Sequence, residues 1–395
     1  MVKNVLEFKE GPASRIRSIA SQFIACMSPN LLLLNLGMTI SFSTIAVPDL
    51  LNASDGLSLN ESQASWFGSI SFLTQPLGAV ISGPMVDYFG RKKATFAVNI
   101  PPLVAWLLMY YSNNIPMLFI ANGLLGFSTG LMEAPINSYV GEITEPSIRG
   151  ALCTITQFHT AIGVLLMYFL GTVVHWRQAA LICLAAPIAS MLFILLVPET
   201  PVWLLSRGRD KDAVKSLCYL RGWTTQEHVM EEYNRLATYA KRLQRCAICC
   251  KTEEDETKDC MHAKMNWLTR FLLKFRYVMM TKETLRPFTL IMMYFLFHSM
   301  SGLTPIRPNM VNVCGALGMP DDGKHIVFMV GIVTFVTSGL VIGLIKILGK
   351  RKLAISAMLG SGISCMAISI YATNLPKSVF SYDASTFPTE VSYTP

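Results

Sequence analysis

The chain has 395 residues, of which 52% are hydrophobic and only 15% are charged, and its formal net charge is +8. Soluble domains carry about 25% charged residues, so much of this chain is expected to avoid water. This composition argues against a soluble enzyme, a disordered scaffold and a nucleic-acid-binding protein. We expect a polytopic membrane protein in contact with the lipid bilayer, not the two or three soluble domains that the length alone allows.

Nine apolar stretches are each long enough to cross a bilayer as a helix, which takes about 20 residues. The charged exceptions are Glu133, inside the fourth stretch, and Arg307, at the exit of the seventh. A buried soluble core would not repeat this length nine times, so nine membrane spans are predicted. They lie at about residues 26–47, 65–86, 94–112, 117–140, 151–174, 178–197, 287–306, 326–345 and 353–373.

The positions of Lys and Arg predict the orientation of these spans, because cytosolic loops carry an excess of both. With the N-terminus inside, the cytosolic segments hold 29 of the 33 Lys and Arg residues. Two N-x-S sequons, at Asn52 and Asn60, fall in the first outer loop, where glycosylation occurs. We therefore expect a cytosolic N-terminus, an extracellular C-terminus and a location in the plasma membrane.

A long charged segment, residues 198–286, separates six spans from three. Part of it has apolar residues at helical spacing, which predicts an amphipathic helix in a helical layer on the cytosolic side. These residues are Val229, Tyr233, Leu236, Ala240 and Leu243.

The same segment contains a Cys-rich stretch, from Cys246 to His262, that resembles a metal-ligand cluster. A solvated or palmitoylated loop is the favoured interpretation, since juxtamembrane cysteines can be acylated. The chain has no motif similar to a nucleotide-binding loop or a hydrolase nucleophile elbow. No metal, cofactor or enzymatic activity is therefore predicted.

Two basic loops six spans apart share a pattern. Gly90-Arg91-Lys92-Lys93 follows span 2, and Gly349-Lys350-Arg351-Lys352 follows span 8. Duplication of a six-helix unit predicts this recurrence, and such repeats are typical of transporters. The predicted domains are a cytosolic tail (1–25), a six-helix bundle (26–197), the cytosolic helical segment (198–286), a partial bundle of three spans (287–373) and an outer tail (374–395).

Three motifs lie at the predicted cytosolic face. Gly83–Lys92 matches G-x-x-x-D-R-x-G-R-R/K with Tyr88 at the place of a cation, Glu142–Gly150 is close to E-x-x-x-P-x-x-R-G, and Pro198–Leu204 matches P-E-S/T-P-x-W-L. Together they resemble the signatures of the sugar-porter family of the major facilitator superfamily. The segments GLMEAP and LRGW are similar to those of insect members that carry trehalose.

The resemblance implies an all-α bundle of the major facilitator type, with six N-terminal spans plus three of the family's six C-terminal spans. It also implies a facilitative carrier of a hexose or a disaccharide that works by alternating access. A cytosolic charge network would close the inner side of the outward-facing state; the alternative is a charge layer that only sets topology. The residues of this network are Asp87, Arg91, Glu142, Arg149 and Glu199.

A sugar offers many hydroxyls and no charge, so its site needs amide, hydroxyl and aromatic side chains. By the resemblance, Gln157 of span 5 stands where the family has a sugar-binding Gln, and Thr160 shares its face. In span 7 only Ser301-Gly302 remains of the family's Q-Q-x-S-G-x-N pattern, and His298 either binds substrate or packs. The predicted substrate-binding residues are Gln157, Thr160, His298, Ser299 and Thr304.

Two prolines, Pro305 and Pro308, flank Arg307 after span 7, which predicts a helix break and an outer gate. Proton-coupled members of the family carry an Asp within span 1, whereas this span has no carboxylate before Asp49 at its outer end. Facilitated diffusion is favoured, with Glu133 as the possible proton site of a coupled alternative. The sequence is also compatible with a non-transporting truncated, sensor or regulatory paralogue, and with a carrier of another small organic solute, including a proton-coupled one.

Overall fold

The computed structural model describes residues 15–51, 53, 56–244, 267–300, 302, 306–316 and 323–374. Within them the fold is all-α, as predicted, with a single isolated bridge between Leu51 and Leu59. The helices are α1 Arg15–Ala25, α2 Met27–Leu50, α3 Glu61–Phe89, α4 Arg91–Val98, α5 Ile100–Tyr110, α6 Ile115–Ile143, α7 Pro146–Val173, α8 Trp176–Cys183, α9 Ala185–Leu196, α10 Pro201–Ser206, α11 Asp210–Leu220, α12 Met230–Gln244, α13 Trp267–Met280, α14 Lys282–Met300, α15 Met310–Ala316, α16 Gly323–Leu348 and α17 Lys350–Asn374.

Six helical stretches among the described residues are long and apolar enough to cross a membrane, and they coincide with predicted spans 1, 4, 5, 6, 8 and 9. They are Met27–Leu50, Ile115–Ile143, Pro146–Val173, Trp176–Leu196, Gly323–Ile345 and Arg351–Tyr371. Predicted spans 2, 3 and 7 are helical but weaker. Polar residues lower the hydropathy of α3, and Asn99 divides the third stretch into α4 and α5. The first turns of α14 contain charged residues. The count of nine spans stays a prediction.

The chain divides into two compact units. The larger comprises the described residues of Ala13–Thr200, Leu220–Trp223 and Pro305–Pro395, and the smaller those of Pro201–Tyr219 and Thr224–Thr304. In the smaller unit, the predicted amphipathic stripe is confirmed for Val229, Tyr233, Leu236 and Ala240, which pack against the apolar residues of α10 and α11. The side chain of Leu243 lies outside the described part.

Helix α2 runs through the middle of the larger unit and is buried despite its many polar residues. Trp106 Nε1 donates a hydrogen bond to Asn35 Oδ1 at 2.9 Å, and the Trp106 ring packs edge-on against Phe42. The outer surfaces of the bundle are apolar instead, with Val80 76% and Leu196 72% exposed. Polar side chains inside and apolar side chains outside are the arrangement expected of helices in a bilayer.

Small residues let the helices of the larger unit approach backbone to backbone. A Cβ at Gly37 of α2 would lie 2.1 Å from Thr160 O, and one at Gly163 of α7 would lie 2.1 Å from Leu34 O. Close approach at small residues is the usual way to pack membrane helices, because lipid supplies no hydrophobic force between them. The α2–α7 crossing therefore depends on the absence of both side chains.

The two basic loops that suggested an internal repeat have the same backbone geometry. Gly90 links α3 to α4 at φ +89°, and Gly349 links α16 to α17 at φ +76°. The Gly90 N–H donates to Val86 O and the Gly349 N–H to Ile345 O, while each glycine carbonyl accepts from the N–H four residues later. Positive φ favours Gly at both turns. This matched geometry supports a duplicated helical unit.

Candidate functional site

Gln157 lies on the exposed face of α7, one turn after the exposed Cys153. Thr160 follows at i+3, and its buried Oγ1 has no hydrogen-bond partner within the described residues. Because Thr160 O abuts Gly37, the α2–α7 crossing fixes the backbone at this point. The structure thus presents one amide side chain in the middle of an apolar helix, on a rigid backbone.

The span-7 residues predicted for the same pocket belong to the smaller unit and are described separately. On α14, His298 and Ser299 are exposed. The His298 ring stacks on Tyr294, with ring centroids 6.2 Å apart and an interplanar angle of 4°. Thr304 and Pro305 lie outside the described residues, so the altered half of the predicted pocket stays a prediction.

Arg91 at the start of α4 is the centre of the predicted charge network. Its Nη2 and Nε lie 2.7 and 2.9 Å from Glu142 Oε1, and both side chains are mostly buried, at 15% and 19% exposure. The bond to Asp87 is longer, 3.7 Å, and the Asp87 side chain is 82% exposed. Arg149 Nη2 donates to Thr144 O, which anchors the guanidinium to the α6–α7 turn.

Glu199 joins this cluster through the backbone at the start of α4. Its carboxylate accepts the N–H of Lys92 at 2.9 and 3.1 Å and the N–H of Thr200 at 3.0 Å. Burial raises the pKa of Glu199, and these backbone hydrogen bonds and the Arg91 charge oppose that rise. Burial also lowers the pKa of Lys92. The structure therefore brings Asp87, Arg91, Glu142 and Glu199 together.

Sequence reasoning missed a second cluster beside this network, around Glu145. Glu145 Oε1 accepts from Ser18 Oγ at 2.7 Å and from Gln22 Nε2 at 3.2 Å, and Gln22 Oε1 accepts the Glu145 N–H. Arg221 Nε lies 3.6 Å from the same carboxylate. These contacts tie α1 to the α6–α7 turn. No local pattern predicts them, because Gln22 and Glu145 are 123 residues apart.

The C-terminal end of α2 contacts the segment that carries the predicted outer gate. Thr44 Oγ1 donates to Arg307 O at 2.8 Å, and Pro308 is buried against Gly68. Asp49 Oδ1 lies 2.6 Å from Lys324 Nζ, with side-chain exposures of 20% and 31%.

This ion pair lines a cavity of about 540 Å³ together with residues 171–175. The Asp49–Lys324 ion pair joins residues 275 apart in sequence, so it was not predicted from the sequence.

Glu133, the predicted proton site, is an exposed residue of α6. Its Oε1 accepts a hydrogen bond from Gln75 Nε2 of α3 at 3.3 Å. Asn137 is also exposed, one turn further along α6. Gln75 and Asn137 were not predicted, since amides in a span usually form ordinary interhelical hydrogen bonds.

One of the two predicted glycosylation sites has a structural role that the sequon does not reveal. Asn60 caps α3: its Oδ1 accepts the Gln63 N–H, and Gln63 Oε1 accepts the Asn60 N–H. Asn52 and the stretch from Cys246 to His262 lie outside the described residues. Among those described, no group of three His, Cys, Asp or Glu residues could hold a metal ion.

The apolar helices, the repeated glycine turn and the mostly buried Arg91–Glu142 ion pair define a polytopic helical membrane protein of the major facilitator type. The model of the Sugar (and other) transporter family matches residues 23–387. The chain belongs to that family.

Curated relatives include the facilitated trehalose transporter Tret1 of Polypedilum vanderplanki, 28% identical over 85% of this chain and 62% of the relative. The protein of the same name from Apis mellifera ligustica is 26% identical over 93% of this chain and 67% of the relative. The chain spans between a third and two thirds of the length of such relatives. The crystal structure of a D-xylose-proton symporter is similar in fold, with a TM-score of 0.52, 16% identity, and coverage of 84% of this chain and 70% of that chain.

Proposed function

We propose that the chain is a facilitative sugar carrier that takes a neutral hexose or a disaccharide such as trehalose. The observation that carries this proposal is Gln157, an exposed amide in the middle of an apolar helix. An amide both donates to and accepts from hydroxyl groups, which suits an uncharged, hydroxyl-rich solute. The names of the curated relatives support the same substrate class.

Alternating access is the proposed mechanism, with contacts at the two ends of the larger unit as gates. Arg91, Glu142 and Glu199 supply the cytosolic gate. Arg307 and Pro308, held by Thr44 and Gly68, supply the outer gate together with the undescribed Pro305. A carrier needs two states of nearly equal free energy, so ion pairs of modest strength are sufficient to bias it.

Facilitated diffusion is proposed over proton coupling. Asp49, the acidic residue of α2, is paired with Lys324 at the helix end and is not held alone within the span. Exposed Glu133 favours the proton-coupled alternative, because ionisable residues inside spans often relay protons.

Uptake of labelled trehalose and glucose into proteoliposomes containing this chain tests the proposal. We expect saturable flux of at least one sugar that stops at equal concentrations on both sides, and Gln157→Ala should reduce it. Glu61→Gln, a conservative change at an exposed position in the first turn of α3, is the control. Absence of saturable flux for either sugar would refute the proposal.

Two further outcomes would point to a different function. Accumulation above equilibrium in an inward proton gradient, abolished by Glu133→Gln, would replace the facilitative mechanism with proton coupling. Sugar binding without flux would favour a sensor or regulatory paralogue. We also propose a cytosolic N-terminus, a plasma-membrane location and glycosylation at Asn52 and Asn60, on the charge distribution and the sequons.

A further inference from the structure

Two polar residues of α6, Glu133 and Asn137, are exposed on one face of a helix that is apolar enough to span a membrane. They are four residues apart, so they lie one above the other. A carboxylate and an amide are costly in hydrocarbon and are normally found facing water, protein or ligand. This face of α6 is therefore not expected to contact lipid.

The backbone around this face is held rigidly by the α3–α6 crossing. A Cβ at Gly130 would lie 2.0 Å from Gln75 O, and one at Gly78 would lie 2.1 Å from Phe127 O. Gln75 is thereby fixed beside Gly130, and Glu133 is three residues further along the same side of α6. The hydrogen bond from Gln75 Nε2 to Glu133 Oε1 follows from this placement.

Counting residues from the α6–α7 turn indicates a similar depth along the two helices for Glu133 and Gln157. Helices α6 and α7 are joined by the short turn at Thr144 and Glu145. Glu133 lies ten residues before the end of α6 at Ile143, and Gln157 lies eleven residues after the start of α7 at Pro146. At 1.5 Å per residue, both are about 15–17 Å from the turn.

We propose that Gln75, Glu133 and Asn137 form a second polar subsite that binds the second ring of a neutral disaccharide whose first ring contacts Gln157. This inference rests on the proposed function. The carboxylate accepts hydrogen bonds from sugar hydroxyls, and the amides both donate and accept. Among the described residues, Glu133 is engaged by a neutral amide and not by a cation, which suits an uncharged ligand.

The test is equilibrium binding of labelled trehalose and labelled glucose to the purified 395-residue chain in detergent. Glu133→Ala and Asn137→Ala should weaken trehalose binding about tenfold, the effect of losing one hydrogen bond to a charged or well-placed group, and change glucose binding less than about threefold. Gln157→Ala should weaken both sugars, and Glu61→Gln neither. Glu133→Gln, which keeps an acceptor, should retain more trehalose binding than Glu133→Ala.

The outcomes separate the subsite from the proposed function. If the unmodified chain binds neither sugar, both are refuted. If it binds both and the two alanine variants weaken trehalose and glucose equally, the residues have a structural role and only the subsite is refuted. If Glu133→Gln removes a pH dependence of binding without changing the preference between the sugars, Glu133 is a proton site and the subsite is again refuted. Monodisperse elution of each variant confirms that it is folded.

Discussion

Glu199 shows how the residues around a single carboxylate decide its protonation. Its burial favours the neutral acid, whereas the backbone N–H groups of Lys92, Thr200 and Arg91 and the charge of Arg91 favour the carboxylate, and the net result is a raised pKa. Glu199 lies on the link between α9 and α10, and its carboxylate contacts the start of α4. The predicted cytosolic gate would open and close at this contact. Protonation of Glu199 would weaken its attraction to Arg91.

Because its pKa is raised in the folded state, Glu199 stabilises the fold at low pH and not at high pH. Protons bind more tightly to folded Glu199 than to the unfolded residue, whose pKa is near 4.5, so its contribution is fully present below that pH. The contribution is lost as pH rises through the folded pKa. Relative to Glu199→Gln, the unmodified chain should therefore lose thermal stability as pH rises from 4.5 towards neutrality, as measured by melting temperature in detergent.

The control is Glu61→Gln, which should give no such trend. The lowered pKa of Lys92 affects stability in an alkaline pH range, apart from the range in which Glu199 acts, because the unperturbed amine titrates near pH 10.5. The opposite trend, with stability increasing towards neutral pH, would mean that the backbone hydrogen bonds outweigh burial.

At the scale of helices, the α2–α7 crossing permits a matched comparison of two glycines on one helix. Gly163→Ala places a Cβ 2.1 Å from Leu34 O, whereas Gly150→Ala meets no atom of the described residues within 4 Å. Overpacking should destabilise Gly163→Ala by about 1–3 kcal/mol. Gly150→Ala should be neutral or slightly stabilising, since Ala is the better helix former. Relative to the unmodified chain, Gly163→Ala should lower the melting temperature, and Gly150→Ala should leave it unchanged or raise it slightly. Equal melting temperatures for the two variants would contradict the tight crossing.

The Asp49–Lys324 ion pair joins α2 to α16, helices from the two sides of the predicted repeat. Both groups are largely shielded, so Asp49→Asn should leave Lys324 without its partner at a cost of about 1 kcal/mol or more. We expect Thr172→Cys, in the adjoining cavity, to react several-fold faster with a membrane-impermeant thiol reagent when Asp49→Asn is present.

The charge-reversed pair, Asp49→Lys with Lys324→Asp, should restore the slow reaction. Glu231→Gln, in the exposed pair of Glu231 with Arg235, is the control and should have no effect. An unchanged labelling rate in Asp49→Asn would show that the ion pair does not limit access to position 172.

The sequence predicted these elements unevenly, for physical reasons. Hydropathy identified the six most apolar helices, because burying about 20 apolar residues in lipid needs no tertiary context. It was weaker for α3, where Ser69 and Ser82 donate to carbonyls of their own helix and Gln75 donates to Glu133 of α6. The Arg91–Glu142 contact followed from family signatures, whereas the Asp49–Lys324 contact and the Gln75–Glu133 contact depend on helix packing and had no local signal.

At the scale of the whole molecule, the repeated turns at Gly90 and Gly349 are the main evidence for internal symmetry. Both carry three consecutive cationic residues after the glycine, so the same charge rule predicts that both turns lie on one side of the membrane. Lys324, at the start of α16, and Asp49, at the end of α2, are then predicted to lie on the other side. The contacts of the predicted cytosolic gate and the Asp49–Lys324 pair are thus predicted to lie on opposite faces.

This topology has a direct test at Asn60, provided that capping is separated from glycosylation. Asn60→Ala would remove both the sequon and the α3 cap, which costs about 1 kcal/mol. Ser62→Ala removes only the sequon, because the capping box uses Asn60 and Gln63. With the Asn52 sequon removed by Ser54→Ala, expression in a eukaryotic cell should give a glycosidase-sensitive mass shift that Ser62→Ala abolishes. An unshifted chain in which Glu61→Cys reacts with an impermeant reagent only after permeabilisation would place this loop inside and reverse the orientation of every span.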